Sequence, residues 1–192
     1  MALSENTLSS TLVLGNFIGG RANEITGVLD YETGGTDIGD ASDGKQVQIW
    51  TGTLVENNII LESPLTSPVV VHSGADITEF SFTFDQNMRP VIAFVQADVA
   101  KLYWYDSTVA DYVITDIAVG AKNPRVSLDD KRTSQDGASD VIVAYITDAR
   151  ELYFQMQRDR YANSYLLASN VSGVLNKIGM TDGLRFMFML YS

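Results

Sequence analysis

The sequence predicts an all-β protein made of antiparallel hairpins, arranged as a sandwich or a partial propeller, with an extended N-terminal arm. Three observations support this fold class. Short runs rich in β-branched and aromatic residues recur along the chain, separated by Gly, Pro, Asn and Asp. No stretch of about 12 or more residues has helical periodicity. Two segments that lie 50 residues apart resemble each other in sequence.

Length and composition are compatible with one large core. The chain has 192 residues, 45% of them hydrophobic, so it can bury enough surface to fold without covalent links. It has no cysteine, which excludes disulfides and thiolate metal sites. We expect no membrane partner, because no run of about 20 apolar residues is present. The N-terminus lacks the pattern of a signal peptide, and we therefore expect synthesis in a cytosol.

The negative charge of the chain argues against a nucleic-acid partner. The formal net charge is −11, and the isoelectric point is near 4.3. A negative surface repels phosphate, so we do not expect a nucleic-acid partner. Acidity of this kind also keeps a protein soluble at high concentration.

Residues 1–22 are predicted to form an arm, and residues 23–192 a β-rich domain. The arm has no clear periodicity and ends at a pair of glycines, yet it carries several apolar side chains. Burial of these side chains on a neighbouring chain would offset the entropy cost of ordering the arm. The predicted partner-binding residues of the arm are Leu12, Leu14, Phe17 and Ile18.

The chain beyond the arm divides into a loop and a series of strands. Residues 30–44 contain four glycines and five acidic residues, a composition that predicts a loop. From Gln46 onward, short runs with the composition and alternation of strands follow one another. A short helix would fit only near residues 166–178. The predicted strands are 46–50, 58–62, 68–72, 77–84, 90–96, 101–105, 112–117, 124–128, 141–146, 151–157, 165–168, 174–178 and 184–191.

The internal repeat consists of an apolar strand, a turn with an aspartate and a Leu-Tyr-aromatic strand. This pattern predicts a β-hairpin, and its recurrence suits propeller blades or stacked hairpins. Two copies are too few for a closed propeller, so a sandwich, an open partial propeller and a sheet completed by neighbouring subunits all remain open. The ungapped alignment places Val91 on Val141, Ile92 on Ile142, Asp98 on Asp148, Leu102 on Leu152, Tyr103 on Tyr153 and Trp104 on Phe154.

Adjacent residues of a strand point to opposite faces of its sheet. We therefore predict that Leu102 and Trp104 share one face and that Tyr103 lies on the other. The second copy should divide its three equivalent residues in the same way.

The sequence offers little catalytic apparatus, and we expect neither an enzyme nor a bound cofactor. His72 is the only histidine, no Gly-x-Ser-x-Gly run is present, and a multi-histidine metal site cannot be built. A structural role at a strand end is expected for His72. No glycine-rich phosphate loop precedes a helix.

A second acidic loop surrounds Gly137. Loops rich in carboxylate oxygens can bind calcium, but the spacing here does not match an EF-hand. We therefore predict a solvated loop. Its acidic residues are Asp129, Asp130, Asp136 and Asp140.

The most distinctive short run alternates arginine and aspartate before a tyrosine at residues 158–161. Alternating charges favour bidentate pairing over phosphate capture, so salt bridges within the chain or between subunits are expected. We take Arg158, Arg160 and Tyr161 as further candidate partner-binding residues.

Aromatic residues form a third conspicuous set. Exposed aromatic rings can stack on sugars or anchor partners, although alternation along a strand sends about half of them into the core. The set comprises Tyr103, Trp104, Tyr105, Tyr153, Phe154 and Tyr161.

Six longer runs have a recognisable sequence: 84–90 (FDQNMRP), 101–106 (KLYWYD), 124–132 (PRVSLDDKR), 140–145 (DVIVAY), 157–161 (QRDRY) and 178–180 (IGM). Together they resemble a family of structural proteins from tailed bacteriophages, especially short-tailed ones. The resemblance extends from about Tyr31 to the C-terminus and excludes the arm. It brings no catalytic residues.

The resemblance implies a component of the virion, assembled in the host cytoplasm. The leading hypothesis is a homo-oligomeric, tail-associated structural protein that links the tail tube to fibres or to neighbouring tail proteins. A capsid decoration protein would use the same apolar arm on a shell surface. A carbohydrate-binding module would use the aromatic set instead.

Overall fold

The protein is built from β-strands that the sequence pattern largely anticipates. The structure, a computed structural model, describes residues 11–13, 24–31, 47–63, 66–85, 89–129, 140–180 and 186–191. Within these ranges it contains fifteen strands, one short 3-10 turn and no α-helix. The strands are β1 Thr11–Val13, β2 Glu24–Tyr31, β3 Val47–Val55, β4 Asn58–Ser63, β5 Thr66–Ser73, β6 Ile77–Phe84, β7 Pro90–Gln96, β8 Val99–Asp106, β9 Asp111–Val119, β10 Lys122–Leu128, β11 Val141–Ile146, β12 Leu152–Met156, β13 Tyr165–Ala168, β14 Val174–Met180 and β15 Phe186–Tyr191.

The described strands form four sheets in chain order. The first sheet contains β1 to β5, the second β6 to β9, the third β10 to β13, and the fourth β14 and β15. Each strand pairs with its sequence neighbour, and every pair is antiparallel. The prediction of an all-β fold made of antiparallel hairpins is thus confirmed.

All thirteen predicted strands are present, as β3 to β15. The strand β2 was not predicted from the sequence. Its register shifts between Thr26 and Val28, on either side of Gly27. A glycine at such an irregularity interrupts the alternation that marks a strand. The predicted loop at 30–44 therefore begins too early, because residues 30 and 31 belong to β2, and its remainder lies outside the described residues. Residues 166–178 contain β13, the start of β14 and bends between them, without a helix.

Part of the predicted arm belongs to the first sheet. The strand β1 pairs with β2 of the same chain, and Leu12 lies opposite Leu29. For residues 11–13 the partner is therefore the chain's own sheet, which the absence of periodicity in the arm did not predict. Leu14, Phe17 and Ile18 lie outside the described residues, and their role as partner contacts stays a prediction.

The sheets stack face to face in chain order, with a core between each consecutive pair. The strand β7 shows this arrangement most clearly. Its Ile92 and Phe94 join the first core, between the first and second sheets, whereas Val91 and Ala93 join the second core, between the second and third sheets. A strand buried on both faces needs an apolar residue at nearly every position, as the sequence of β7 has.

The strand β11 holds the same position one sheet later. Val141 and Val143 belong to the second core, whereas Ile142 and Ala144 belong to the third core, between the third and fourth sheets. All six residues of β11 are buried. The position of a strand in the stack therefore accounts for its unbroken apolar sequence.

The two copies of the repeat are both hairpins, β7–β8 and β11–β12, in the second and third sheets. Their pairing differs, because Leu102 lies opposite Ala93 whereas Leu152 lies opposite Ile146. The reason is the length of the connection. Ala97 and Asp98, both with positive φ, form a two-residue turn in the first copy, whereas residues 147–151 connect the second.

The predicted division of faces is confirmed in both copies. Leu102 and Trp104 are buried in the second core, and Tyr103 lies half-buried beside the first. The second copy places Leu152 and Phe154 at the third core and Tyr153 on the opposite face. Phe154 is only half-buried, so its truncation should cost less than that of Trp104.

Replacement of Trp104 by alanine should destabilise the fold strongly. The indole ring is 4% exposed, meets Tyr161 edge-on at 5.0 Å between ring centroids, and donates through Nε1 to Thr115. Loss of a buried aromatic side chain costs about 3–5 kcal/mol. Urea unfolding measures the difference.

The matched control is Tyr103→Phe, which keeps the ring stacked on Tyr112 at 4.8 Å. It should change the free energy of unfolding by less than about 0.5 kcal/mol. Equal stability of Trp104→Ala and the wild type would show that the assignment of the buried face is wrong.

Candidate functional site

A tight turn after β12 organises the most distinctive polar residues. The 3-10 turn Gln157–Asp159 is followed by Arg160 and Tyr161, both in the left-handed region with φ of 57° and 59°. Two successive non-glycine residues in this region cost on the order of 1–3 kcal/mol each. Backbone bonds hold the turn, including one from Tyr161 N to the carbonyl of Met156 at 3.0 Å. We call residues 157–161 the arginine turn.

The first arginine of the turn, Arg158, interacts with the two acids at the ends of the second acidic loop. The guanidinium of Arg158 binds the carboxylate of Asp140 and lies 3.7 Å from that of Asp129. The two acids are bonded to each other through their backbones, and the Asp140 amide also donates to Asp129 Oδ1 at 2.8 Å. Both acids are buried, so the prediction of a solvated loop is wrong for them. Asp130 and Asp136 lie outside the described residues.

The second arginine of the turn reaches back to the second sheet. Arg160 Nη2 binds Oδ2 of Asp106, a buried residue at the end of β8. Oδ1 of Asp106 accepts hydrogen bonds from the amide and hydroxyl of Thr108 at 2.9 and 2.7 Å. Burial opposes ionisation of this carboxyl, but the bonds from Thr108 and Arg160 outweigh it and lower the pKa of Asp106 below its ordinary value.

Tyr161 occupies a different place from the one that the sequence indicated. Its ring is 4% exposed and packs in the second core against Trp104. Burial raises the pKa of Tyr161 well above its ordinary value. Because a buried ring offers no surface to another molecule, Tyr161 is corrected from a partner contact to a core residue. The salt bridges expected within the chain are confirmed for Arg158 and Arg160. The side chain of each arginine is about half exposed.

A cleft of about 490 Å³ opens between the arginine turn and the β8–β9 hairpin. Asp106, Asp159 and Arg160 supply its polar groups, while Val109 and Val113 supply apolar wall. Its size would suit a small molecule. No three His, Asp or Glu side chains converge on a metal-sized site anywhere in the described part of the chain.

A buried arginine that the sequence reading missed joins the third sheet to the fourth. Arg125 in β10 donates from Nε to the carbonyl of Asn176 in β14 at 2.9 Å. Burial lowers the pKa of Arg125, and the nearby carboxylate of Glu79 opposes this shift. The sequence could have indicated this contact, because Arg125 is a charged residue within the predicted strand 124–128.

Two further contacts join the second sheet to the third along the same line. Glu79 in β6 accepts hydrogen bonds from the backbone and side-chain amides of Asn123 in β10, at 2.9 and 3.1 Å. Ser81 Oγ accepts a bond from the amide of Val126 at 3.2 Å. The first strands of three successive sheets, β6, β10 and β14, are thus linked by polar contacts. We call this line of contacts the inner seam.

The remaining residues singled out in the sequence, His72 and members of the aromatic set, pack against other side chains of the chain. The ring of His72 packs on Phe94 at 4.6 Å, and burial lowers the pKa of its imidazole. Tyr103 stacks on Tyr112, whose pKa burial raises to about 12. Arg89 lies over the ring of Tyr105 at 3.8 Å. These aromatic rings contact one another and an arginine of the same chain.

Exposed apolar side chains lie mainly on edge strands of the sheets, among them β5, β9, β13 and β15. All four residues of β13 are exposed, including Leu166 and Leu167. In β15 the exposed set includes Met187, Met189 and Tyr191. Edge strands with exposed apolar side chains are the places where other strands and chains attach.

The fold and these contacts define an antiparallel all-β protein whose distinctive polar residues hold its own sheets together. Comparison with protein-family models, with curated proteins and with solved structures found no match to this chain. No helix formed by the described residues is long and apolar enough to cross a membrane.

The lowered pKa of Asp106 predicts a specific loss of stability in acid. Because the folded-state pKa lies below the ordinary value of 3.8, this carboxylate stabilises the fold above that pH. The contribution is lost as the pH falls through the lowered folded-state value. The Asp106→Asn variant, which cannot ionise, should therefore lose less stability than the wild type when urea unfolding is followed from neutral to strongly acidic pH.

The control for this comparison is Asp116→Asn, because Asp116 forms an exposed pair with Lys101. Exposed pairs contribute little to stability, so this variant should follow the wild-type dependence on pH. Parallel acid profiles for Asp106→Asn and the wild type would contradict the assignment.

Proposed function

We propose that this chain is a structural component of the virion of a tailed bacteriophage. In this proposal it is associated with the tail and links the tail tube to fibres or to neighbouring tail proteins. The resemblance in sequence motifs supports the family, and the described geometry supports a role in assembly. The observation that carries the proposal is the pair of apolar edge strands, β13 and β15, which leave large side chains in water.

The positions of the resembling motifs are compatible with this role. The run 157–161 forms the arginine turn, and the run 140–145 comprises Asp140 and most of the buried strand β11. The run 124–132 begins in β10 and contains Arg125 of the inner seam. Where they are described, these motifs stabilise the stack of sheets and its turns. Such placement suits a protein that serves as a rigid part.

The exposed apolar surface is the kind that assembly would cover. Tyr165, Leu166 and Leu167 are 39%, 52% and 42% exposed on adjacent positions of β13. Runs of exposed apolar residues on an edge strand lead to unwanted pairing unless a partner covers them. A virion supplies such partners at high local concentration, and the net charge of −11 keeps the isolated chain soluble.

Imaging of particles tests the proposal directly. Antibodies against the chain, bound to particles of the phage that encodes it and viewed by electron microscopy, should label the tail. Labelling over the whole shell would favour the capsid decoration alternative. Particles without label and without the chain by mass spectrometry would contradict the proposal.

The arm gives a second test. Replacement of Leu14, Phe17 and Ile18 by serine keeps the length of the arm, removes three of its apolar side chains and leaves the strand β1 unchanged. We expect the circular dichroism spectrum to be retained and incorporation into particles to be lost, because burial of these side chains drives the attachment. Normal incorporation of the variant would show that the arm is not the attachment segment.

A further inference from the structure

The cleft beside the arginine turn contains an arginine that is held in position from two directions. The backbone of Arg160 has a positive φ of 57°, and its amide donates to the carbonyl of Gln157 at 2.8 Å. Its guanidinium binds the buried carboxylate of Asp106 through Nη2. Strained backbone persists where surrounding contacts hold it, and it is concentrated at ligand sites. The guanidinium is therefore fixed at the wall of the cleft before any ligand arrives.

Much of the hydrogen-bonding capacity in the cleft is available to a ligand. Among the described residues the guanidinium of Arg160 donates through Nη2, and its side chain is 57% exposed, so other N–H groups of the fork remain for an acceptor. The hydroxyl of Thr115 accepts from Trp104 Nε1 and keeps its own proton to donate. Asp159 adds a carboxylate to the same cleft. Donors and an acceptor thus lie close together.

The rest of the cleft is apolar. Val109, Val113 and Ala162 line it, together with the ring of Trp104. Val109 is 57% exposed, so its side chain presents apolar surface to the cleft. Small-molecule sites combine apolar surface with a few polar groups that set the orientation of the ligand. A ligand for this cleft therefore has an apolar face and hydrogen-bonding groups along one edge.

The charges around the cleft favour a neutral ligand. One arginine and the two carboxylates of Asp106 and Asp159 leave a negative balance among the lining residues. The chain as a whole carries a net charge of −11, which repels phosphate, sulfate and carboxylate groups. A cationic ligand would instead meet the exposed guanidinium of Arg160. A neutral molecule avoids both penalties.

We propose that this cleft binds a neutral hexose. Each sugar hydroxyl both donates and accepts, so two neighbouring hydroxyls can accept from Arg160 and donate to Asp159. The planar fork of arginine suits a pair of adjacent acceptors. The C–H groups of the sugar ring supply the apolar face that packs against Val109 and Val113. This inference goes beyond the virion proposal, because it concerns binding by the purified chain and stands whether or not the chain belongs to a phage.

Titration followed by two-dimensional NMR tests the proposal on the purified protein. The probes are the methyl glycosides of glucose, galactose, mannose and N-acetylglucosamine, with sodium benzoate as an anion of similar size. At least one glycoside should shift the signals of Arg160 Nε–H and of the Trp104 indole N–H, with a Kd on the order of 1 mM. The absence of shifts with all four glycosides, or tighter binding of benzoate than of every glycoside, would overturn the proposal.

The two arginines of the turn provide a matched pair of variants. Arg160→Lys keeps a positive charge beside Asp106 but removes the planar fork, so the Kd for the glycoside should rise about tenfold. Arg158 also pairs with a buried aspartate, Asp140, but it is not among the described residues that line the cleft. Arg158→Lys should therefore bind the glycoside as the wild type does. An unchanged Kd in Arg160→Lys would refute the assigned role of the guanidinium.

A second pair of variants keeps the test decisive if Arg160→Lys fails to fold. Val109, just before β9, and Val119, at the end of β9, are 57% and 80% exposed, so serine at either position should leave the fold intact. Of the two, Val109 borders the cleft. Val109→Ser should raise the Kd about fivefold through lost apolar contact, and Val119→Ser should leave it unchanged. Equal Kd values for Val109→Ser and the wild type would also overturn the proposal.

Discussion

The inner seam is the interaction on which the rest of the structure depends. It joins the first strands of three successive sheets through Glu79, Asn123 and Arg125. Most of its hydrogen bonds join a side chain of one strand to the backbone of a strand in the next sheet, and one joins the side chains of Glu79 and Asn123. Backbone partners do not vary with the side chains of the receiving strand, so these contacts help to hold the second, third and fourth sheets together. The second and third cores lie between the sheets that it joins.

In the second and third sheets, which the seam joins, the second strand lies between two cores. The strands β7 and β11 are apolar at nearly every position for this reason. The arginine turn adds ion pairs to the second and third sheets. Arg160 binds Asp106 of the second sheet, and Arg158 binds Asp140 at the start of β11. These charges are paired inside the chain, and they stabilise the positions of elements that are distant in sequence.

Much of the fold could be predicted from the sequence, because strand periodicity is a local signal. The thirteen strands from β3 to β15 follow from it, as do the opposite faces of Leu102 and Tyr103. The strand β2 was missed because Gly27 interrupts the alternation. The contacts between sheets could not be predicted, because they join residues far apart in the chain.

The candidate site shows the same limit. Alternating charge predicted that Arg158 and Arg160 form salt bridges, but it could not identify their acids. A loop rich in acids predicted solvated carboxylates for Asp129 and Asp140, but both are buried and Arg158 lies beside them. Tyr161 looked like a surface contact because it follows charged residues. Its left-handed backbone turns the ring into the core instead, and no local pattern reveals that conformation.

The central claim is that the inner seam holds successive sheets of the stack together. Hydrogen exchange measured by mass spectrometry on an Arg125→Met variant tests this claim most directly. Protection of the amides in β14 should fall below that of the wild type, while protection in β7 and β8 stays constant, because Arg125 donates to the carbonyl of Asn176 in β14. Protection of β14 equal to that of the wild type would contradict the account.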